Sequence, residues 1–279
     1  MTLPSFLCIG ATKAGTTWLH DQLDQHPGVC MPLVKELHYF SARHSPGHRQ
    51  WAEQTVDKAF RRELRHARRR ADTGETDRED ARHLRRIRSH EIFSDDWYRA
   101  CFDRPGHGGR VVGEITPAYA ELPVEGIAEM QRMLPGVRII HILRHPYDRA
   151  LSHLRMSLHR RGMPVDEEGM LKMLDRQPQI FSRGAYEQQV PRWREAIPAD
   201  RYLILPFGTI RERPLEILRQ VEAFIGVAPF EGYRSEKAVN KTRQVEIPEA
   251  VLTAIQQRVR PTVDYLTTEF GTDFLNATR

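Results

Sequence analysis

The chain has 279 residues, of which 40% are hydrophobic and 28% charged, and its net charge of +5 favours an anionic ligand or partner. A chain of this length can bury a core unaided, its composition is that of an ordinary soluble protein, and it has no apolar run long enough to cross a bilayer. The three cysteines lack the spacing of a disulfide framework or a zinc site, and the first residues lack the basic segment of a signal peptide, so we expect a cytoplasmic protein.

The first predicted element is a buried strand over the apolar run at residues 6–9, followed by a glycine-containing loop and a helix that begins near Thr16. Such a loop binds anions, because backbone N–H groups and the helix dipole point at the ligand. Gly10 and Gly15 have the spacing of the Walker pattern, but Thr16 occupies the position of its lysine, and Lys13 lies inside the loop. This arrangement favours a shorter anion held without a metal ion, and we predict no metal site.

The run from Lys13 to Leu19, KAGTTWL, resembles the 5′-phosphosulfate loop of sulfotransferases that use 3′-phosphoadenosine 5′-phosphosulfate (PAPS). The alternative is a glycine turn with a solvated lysine. The resemblance implies that backbone N–H groups of residues 14–17 hold the 5′-phosphate and that Lys13 stabilises the leaving oxygen. Trp18 resembles the tryptophan that stacks on adenine in cytosolic members, although it could equally pack in the core. The implied cofactor-binding residues of this loop are Lys13, Ala14, Gly15, Thr16, Thr17 and Trp18.

A second segment with acid–base character follows a short predicted strand at residues 29–32. Alternation over residues 35–40 predicts an extended stretch with Glu36, His38 and Phe40 on one face. Either Glu36 or His38 could accept a proton from a hydroxyl, whereas a surface ion pair with Lys35 is the alternative. The stretch is similar to the Glu-x-His-x-Phe run of the glycan-directed, heparan-sulfate-type sulfotransferases. That resemblance implies that Glu36 is the general base and that His38 supports it, while the chemistry of His38 leaves open that it serves as the base itself.

Residues 43–93 form an arginine-rich insertion. Apolar residues at helical spacing on both sides of a break at Thr73-Gly74 predict two amphipathic helices. These helices are either a solvated surface or a wall of the acceptor cleft, and the second case suggests an anionic acceptor such as an acidic glycan. The insertion has no interleaved aromatic residues and no recognised nucleic-acid-binding module, which argues against a nucleic-acid partner.

A further strand is predicted at residues 110–114, and a turn follows it. The glycan-directed enzymes carry Glu-Lys-(Ser/Thr)-Pro-Ala-Tyr at this point, and their lysine assists catalysis. This sequence has Ile115 at the lysine position. Either Lys13 therefore acts alone, or a basic residue elsewhere takes the place of the missing lysine.

The β-branched run at residues 137–143 predicts another buried strand, and a helix is predicted to begin at Pro146. Arg144 at the strand end and Ser152 on the helix could converge on one phosphate; the alternative is an ordinary cap with a surface arginine. The stretch resembles the 3′-phosphate element of sulfotransferases, strand-Arg-x-Pro-x-x-Arg-x-x-Ser. The resemblance implies that Arg144 and Ser152 bind the 3′-phosphate of the nucleotide.

The remaining chain is predicted to hold a mobile surface segment at residues 160–180, a last core strand at 202–205 and a helix that ends at Gly226. The Arg-Gly-x-Tyr run that contains Tyr186 opens a helix and also resembles the family, which implies that Tyr186 is a cofactor-binding residue. Lys241 and Arg243 precede a final helix at residues 248–270. Sulfotransferases commonly have a basic loop here that closes over the nucleotide, which implies a binding role for both residues; a solvated loop is the alternative.

These patterns predict one α/β domain over residues 1–279, with a P-loop-like, mostly parallel sheet flanked by helices. The resemblance implies transfer of a sulfuryl group from PAPS to a hydroxyl or amine of a small-molecule or glycan acceptor, with no metal ion. Two alternatives are a P-loop kinase or NTPase and a non-catalytic binder of acidic polymers. The sequence leaves the acceptor and the oligomeric state open.

Overall fold

The computed structural model describes residues 3–45, 47–70, 75–104, 108–162, 165–234 and 245–279. Its strands are β1 (Phe6–Gly10), β2 (Val29–Cys30), β3 (Val111–Ile115), β4 (Arg138–Leu143) and β5 (Tyr202–Pro206). The helices are α1 (Thr16–Leu23), α2 (Tyr39–His44), α3 (Arg49–Arg70), α4 (Glu75–Ile87), α5 (Asp95–Phe102), α6 (Val124–Met133), α7 (Pro146–Arg161), α8 (Glu167–Arg176), α9 (Gln179–Ser182), α10 (Tyr186–Ala196), α11 (Phe207–Glu212), α12 (Pro214–Ile225) and α13 (Glu249–Ala277). Short 3-10 helices lie at Pro117–Glu121 and Ala199–Arg201.

The strands form one parallel sheet in the order β2-β3-β1-β4-β5. The central strand β1 is fully buried, as its apolar sequence predicts, and Phe6 lies opposite Gly113 of β3 and Arg138 of β4. A Cβ atom at Gly113 would lie 1.9 Å from the ring of Phe6, so only glycine fits there. Because neighbouring parallel strands have their carboxyl ends on the same side of the sheet, the segments that follow β1, β3 and β4 lie close together there.

The insertion folds as the two predicted amphipathic helices. In α3 the buried residues recur at helical spacing, and they are Ala52, Val56, Phe60, Leu64 and Ala67. The described arginines of this pair are mostly exposed, and several pair with acids of the same insertion: Arg61 and Arg88 both contact Asp57, and Arg62 contacts Glu63. The insertion therefore packs a thin apolar face and presents its arginines to solvent.

The predicted extended stretch at residues 35–40 is wrong. Helix α2 begins at Tyr39, and the backbone before it turns through left-handed conformations at Glu36 (φ 64°) and His38 (φ 55°). Both Tyr39 and Phe40 are buried, so the expected alternation of faces is absent. The cause is tertiary, because the Tyr39 ring stacks on Tyr98, at 4.3 Å between ring centroids, and so cannot point away from the core.

The described part of residues 160–180 is mostly regular structure, which the prediction of a mobile surface segment did not include. The described part of this segment forms the end of α7, α8 and the start of α9, and Asp166 caps α8 by accepting a hydrogen bond of 2.9 Å from the Gly169 amide. Met170 and Leu174 are buried in an apolar cluster with Val251 of α13. The partner helix lies far along the chain, which is why local periodicity did not indicate this element.

The helix end predicted at Gly226 is confirmed, since α12 stops before this glycine, which has a positive φ of 80°. The final helix extends beyond its predicted end at residue 270, because α13 continues to Ala277 after a break at Gly271, where φ is 84°. All three cysteines are buried and free, as predicted. Among the helices in the described ranges, none combines the length and the apolar character that a membrane crossing requires. Lys241 and Arg243 lie outside the described residues.

Candidate active site

The loop between β1 and α1 is shaped for a ligand. Lys13 and Gly15 have positive φ angles of 72° and 82°, and a Cβ atom at Gly15 would lie 3.1 Å from the ring of Phe207. The first-turn N–H groups of α1 have no intrahelical acceptor, so they can bind an anion. Ala14 differs from the prediction, since it is fully buried and its N–H group donates to the Ala11 carbonyl at 3.1 Å. We therefore remove Ala14 from the groups that can hold a phosphate.

A cavity of about 520 Å³ brings the predicted site residues together. The residues named from the sequence that line it are Lys13, Gly15, Thr16, Thr17, Trp18, Glu36, His38, Arg144 and Ser152. Trp18 is only 6% exposed and belongs to the core cluster, so it both packs in the core and forms part of the cavity wall. Tyr186 lies outside this wall.

Arg144 connects the two anion-binding elements. Its Nη1 donates a hydrogen bond of 2.9 Å to the Lys13 carbonyl, and its guanidinium lies 4.7 Å from the centre of the Phe207 ring. The buried Tyr186 hydroxyl lies 3.1 Å from both the backbone nitrogen and the carbonyl oxygen of Arg144, so Tyr186 helps to fix the backbone of this arginine. The Nε atom of Arg144 is buried and has no hydrogen-bond partner. An anion in the cavity would satisfy this donor.

The cavity wall carries more cationic than anionic side chains, with Lys13, Arg144, Arg160 and Arg183 against Asp21 and Glu36. Burial lowers the pKa of Lys13, and the neighbouring charges of Arg144 and Arg160 lower it further. Burial also lowers the pKa of Arg144. Cations held close together with little solvent favour a multiply charged anion, because each added negative charge relieves their mutual repulsion.

Glu36 and His38, the candidate acid–base pair, lie together at the cavity wall. The distance from His38 Nε2 to Glu36 Oε2 is 3.4 Å, and Lys35 Nζ lies 3.3 Å from Glu36 Oε1 and 3.1 Å from the Thr17 hydroxyl. Burial alone would raise the pKa of Glu36, but the adjacent His38 side chain and the charge of Lys35 outweigh it and hold the pKa at about 2. Glu36 is therefore ionised at neutral pH, and its side chain is 38% exposed to the cavity.

Glu114 is a residue of this region that sequence reasoning missed. It is fully buried at the end of β3 and accepts hydrogen bonds from the hydroxyls of Tyr98, Thr116 and Tyr119 at 2.6, 2.7 and 2.7 Å. Burial raises its pKa. The Thr116 hydroxyl also accepts a hydrogen bond of 3.1 Å from the amide of Leu37, which lies between the acid–base pair. The Glu-x-Thr-Pro-Ala-Tyr run was visible in the sequence, but its carboxylate was not considered there.

We expect Thr116→Val to reduce kcat by about 10–10²-fold, because the Leu37 amide would lose its acceptor and the left-handed turns at Glu36 and His38 would relax. The affinity for 3′,5′-adenosine bisphosphate (PAP), measured by calorimetry, should stay within about twofold. Thr116→Ser keeps the hydroxyl and is the matched control that should restore the rate. Equal losses in both variants, or a loss of PAP affinity in place of kcat, would contradict this positioning role.

The lysine that the glycan-directed enzymes carry after the strand glutamate has no basic counterpart at position 115. Ile115 is 1% exposed and belongs to the core cluster. Two arginines that sequence reasoning did not select, Arg160 and Arg183, line the cavity beside Lys13. Within the described ranges, histidine, cysteine and carboxylate side chains do not gather in a group that could hold a metal ion.

Comparisons with known proteins agree with this geometry. A model described as the sulfotransferase family matches residues 4–232. The bifunctional heparan sulfate N-deacetylase/N-sulfotransferase 2 of Homo sapiens is 23% identical over 254 residues, which cover 83% of this chain and only 23% of that protein.

Two solved structures show the same fold. The sulfotransferase of Alicyclobacillus acidocaldarius superimposes with a TM-score of 0.68 and 22% identity over 100% of both chains. The sulfotransferase domain of the Synechococcus PCC 7002 olefin synthase gives a TM-score of 0.56 and 16% identity over 94% of this chain and 96% of that one. Since the family model covers most of the sequence, and the parallel sheet and its flanking helices match these structures, the chain is an enzyme of the sulfotransferase family.

Proposed function

We propose that this enzyme transfers a sulfuryl group from PAPS to a hydroxyl or amine of an acceptor by in-line displacement. The observation that carries the proposal is the hydrogen bond from Arg144 to the carbonyl of Lys13. It holds the loop suited to the 5′-phosphosulfate and the strand end suited to the 3′-phosphate in one cavity. A nucleotide with phosphates at both positions is the ligand that such a pair of anion-binding elements fits.

The residues divide the work as follows in this proposal. First-turn N–H groups of α1 hold the 5′-phosphate, while Arg144 and Ser152 hold the 3′-phosphate. Lys13 stabilises the charge that develops on the leaving oxygen, and Glu36 or His38 accepts the proton of the acceptor. When bound, PAPS supplies an electrophilic sulfur and a nucleotide phosphate as leaving group. The side chains mainly align the donor with the acceptor and neutralise the negative charge of the donor, which is the contribution that this type of transfer requires.

A P-loop kinase would need a magnesium ligand beside the loop between β1 and α1. Such enzymes hold magnesium with an acidic residue at a strand end, and Glu114 at the end of β3 is the acid available beside the loop. Three hydroxyls already donate to Glu114, and it is fully buried. Together with Thr16 at the Walker lysine position, this arrangement favours sulfuryl transfer over the kinase alternative.

The test of the proposed donor is the affinity of an Arg144→Ala variant for PAP. We expect calorimetry to show a fall of about 10–10²-fold, because the variant loses a charge-assisted contact inside a partly desolvated cavity. Arg138→Ala, at the opposite end of the same strand, is the matched control and should bind like the unmodified protein. Unchanged affinity in Arg144→Ala would remove Arg144 from the site, and no binding of PAP by the unmodified protein would overturn the proposed donor.

A further inference from the structure

A second cavity of about 610 Å³ adjoins the proposed donor cavity. Three residues line both cavities, namely Trp51, Ala118 and Arg183. We call these three residues the neck. Because the two cavities share these three residues, the second cavity lies directly beside the proposed donor cavity, where it can hold the molecule that receives the transferred group.

Trp51 brings the inserted helix α3 into the site. Its side chain is 42% exposed, and its ring lies 5.2 Å from the His38 ring and 4.7 Å from the His48 ring, measured between centroids. The buried face of α3 fixes the helix through Ala52 and Val56, so Trp51 remains at the cavity wall without carrying the packing of the helix. A flat molecule that packs on the Trp51 ring would therefore be separated from the acid–base pair by that ring alone.

The walls of the second cavity are polar but nearly balanced in charge. Arg183 Nε lies 3.5 Å from Glu121 Oε2, and His44 is hydrogen-bonded to Glu129. Burial, and then the charges of His38 and Arg183, lower the pKa of His48 to about 4, so His48 is neutral at pH 7. The Nε2 atom of His48 is buried and has no hydrogen-bond partner, which leaves it free to bind a hydroxyl.

The arginines of the insertion do not contribute to these walls. Among the residues that line the two cavities, α3 supplies Trp51 and Thr55, and the described arginines of α3 and α4 are absent. The expectation that an arginine-lined cleft selects an anionic acceptor is therefore not supported. A polar, charge-balanced wall with one exposed indole suits a ring that carries several hydroxyls and no charge.

We propose that the second cavity is the acceptor-binding site and that it takes an uncharged, polyhydroxylated ring of the size of a pyranose. The apolar face of the ring packs on Trp51, and one hydroxyl reaches through the neck to Glu36 and His38. This inference rests on the proposed sulfuryl transfer. The acceptor oxygen bonds to sulfur as the bond from sulfur to the bridging oxygen of PAPS breaks. The acceptor proton goes to Glu36 or His38, and PAP leaves.

The experiment uses the full chain loaded with PAP and the probe methyl β-D-glucopyranoside, with binding followed by saturation-transfer NMR. Trp51→Ala should weaken the sugar about tenfold while PAP affinity stays within twofold, and Trp51→Phe should keep most of the sugar affinity. Arg65→Ala, on the exposed face of the same helix, is the matched control and should change neither the sugar affinity nor the PAP affinity. Methyl β-D-glucuronide, which adds a carboxylate to the same ring, should bind no more tightly than the neutral sugar.

The outcomes separate the two proposals. If PAP does not bind, the proposed donor fails. If PAP binds but neither sugar does, or if Trp51→Ala leaves sugar binding unchanged, the acceptor-site assignment fails alone. Tighter binding of the glucuronide, or loss of sugar binding in Arg65→Ala, would show that charge and the arginine-rich surface select the acceptor, which also overturns the inference.

Discussion

Lys13→Ala should lower turnover with PAPS by about 10³-fold or more, because it removes the cation proposed to stabilise the leaving oxygen inside a partly desolvated cavity. The fold should be unaffected. Lys13 already has a positive φ of 72°, so alanine adds no new backbone strain, and the hydrogen bond that Lys13 accepts from Arg144 uses the backbone carbonyl.

The measurement is single-turnover sulfuryl transfer, accompanied by thermal unfolding and PAP titration. Lys172→Ala is the matched control, since this lysine is exposed on α8 and pairs with Glu168 one helical turn away. Lys13→Arg should recover part of the rate if charge is what matters and little if the position of the Nζ atom is critical. A turnover within a few-fold of the unmodified enzyme in Lys13→Ala would refute the role proposed for this lysine.

The second large effect concerns the proton acceptor. If Glu36 is the base, Glu36→Gln should reduce kcat by about 10²–10⁴-fold, since the amide cannot accept the proton. The pKa of about 2 means that Glu36 loses its charge only as the pH falls towards 2. A free carboxylate with that pKa gives a rate that does not depend on its ionisation between about pH 5 and 8, and any acid limb in this range belongs to another group.

His38→Gln completes this comparison. His38 contacts Glu36 and lies near the hydroxyl of Ser41, at 3.3 Å from Nδ1, so it can pass a proton inward from the carboxylate or accept it directly. If His38 is the base, kcat should fall by the larger factor in His38→Gln and by the smaller factor in Glu36→Gln. Kinetic pH profiles of both variants, recorded at saturating PAPS, distinguish the two assignments. Losses below tenfold in both would exclude this pair as the proton acceptor.

Much of the site was predictable because its parts are local. The strand, loop and helix around Lys13 lie within one short stretch, and each step follows from side-chain pattern and backbone freedom. The same holds for Arg144, which ends a β-branched strand just before a proline that opens α7. Parallel pairing then brings these two segments to one edge of the sheet, so their convergence follows from the predicted fold class.

Other features required contacts between distant segments. The turns at Glu36 and His38 depend on the Leu37 amide reaching Thr116, and α8 depends on packing against α13. The exclusion of Ala14 from the anion site depends on one hydrogen bond within the loop, and the exclusion of Ile115 depends on its place in the core. Local pattern carries no information about such pairings, since the energy that decides them comes from residues far apart along the chain.

The sequence by itself determined which segments of this protein can bind anions and which carry acid–base groups, because helix starts, strand ends and residue chemistry are local properties. Only the tertiary structure decided how these groups are oriented, that Glu114 and Thr116 fix the acid–base turn, and that Trp51 and Arg183 form a neck between two cavities. The neck joins residues of α3, of the 3-10 helix at Pro117–Glu121 and of the segment after α9, and such a meeting is set by the packing of several elements at once.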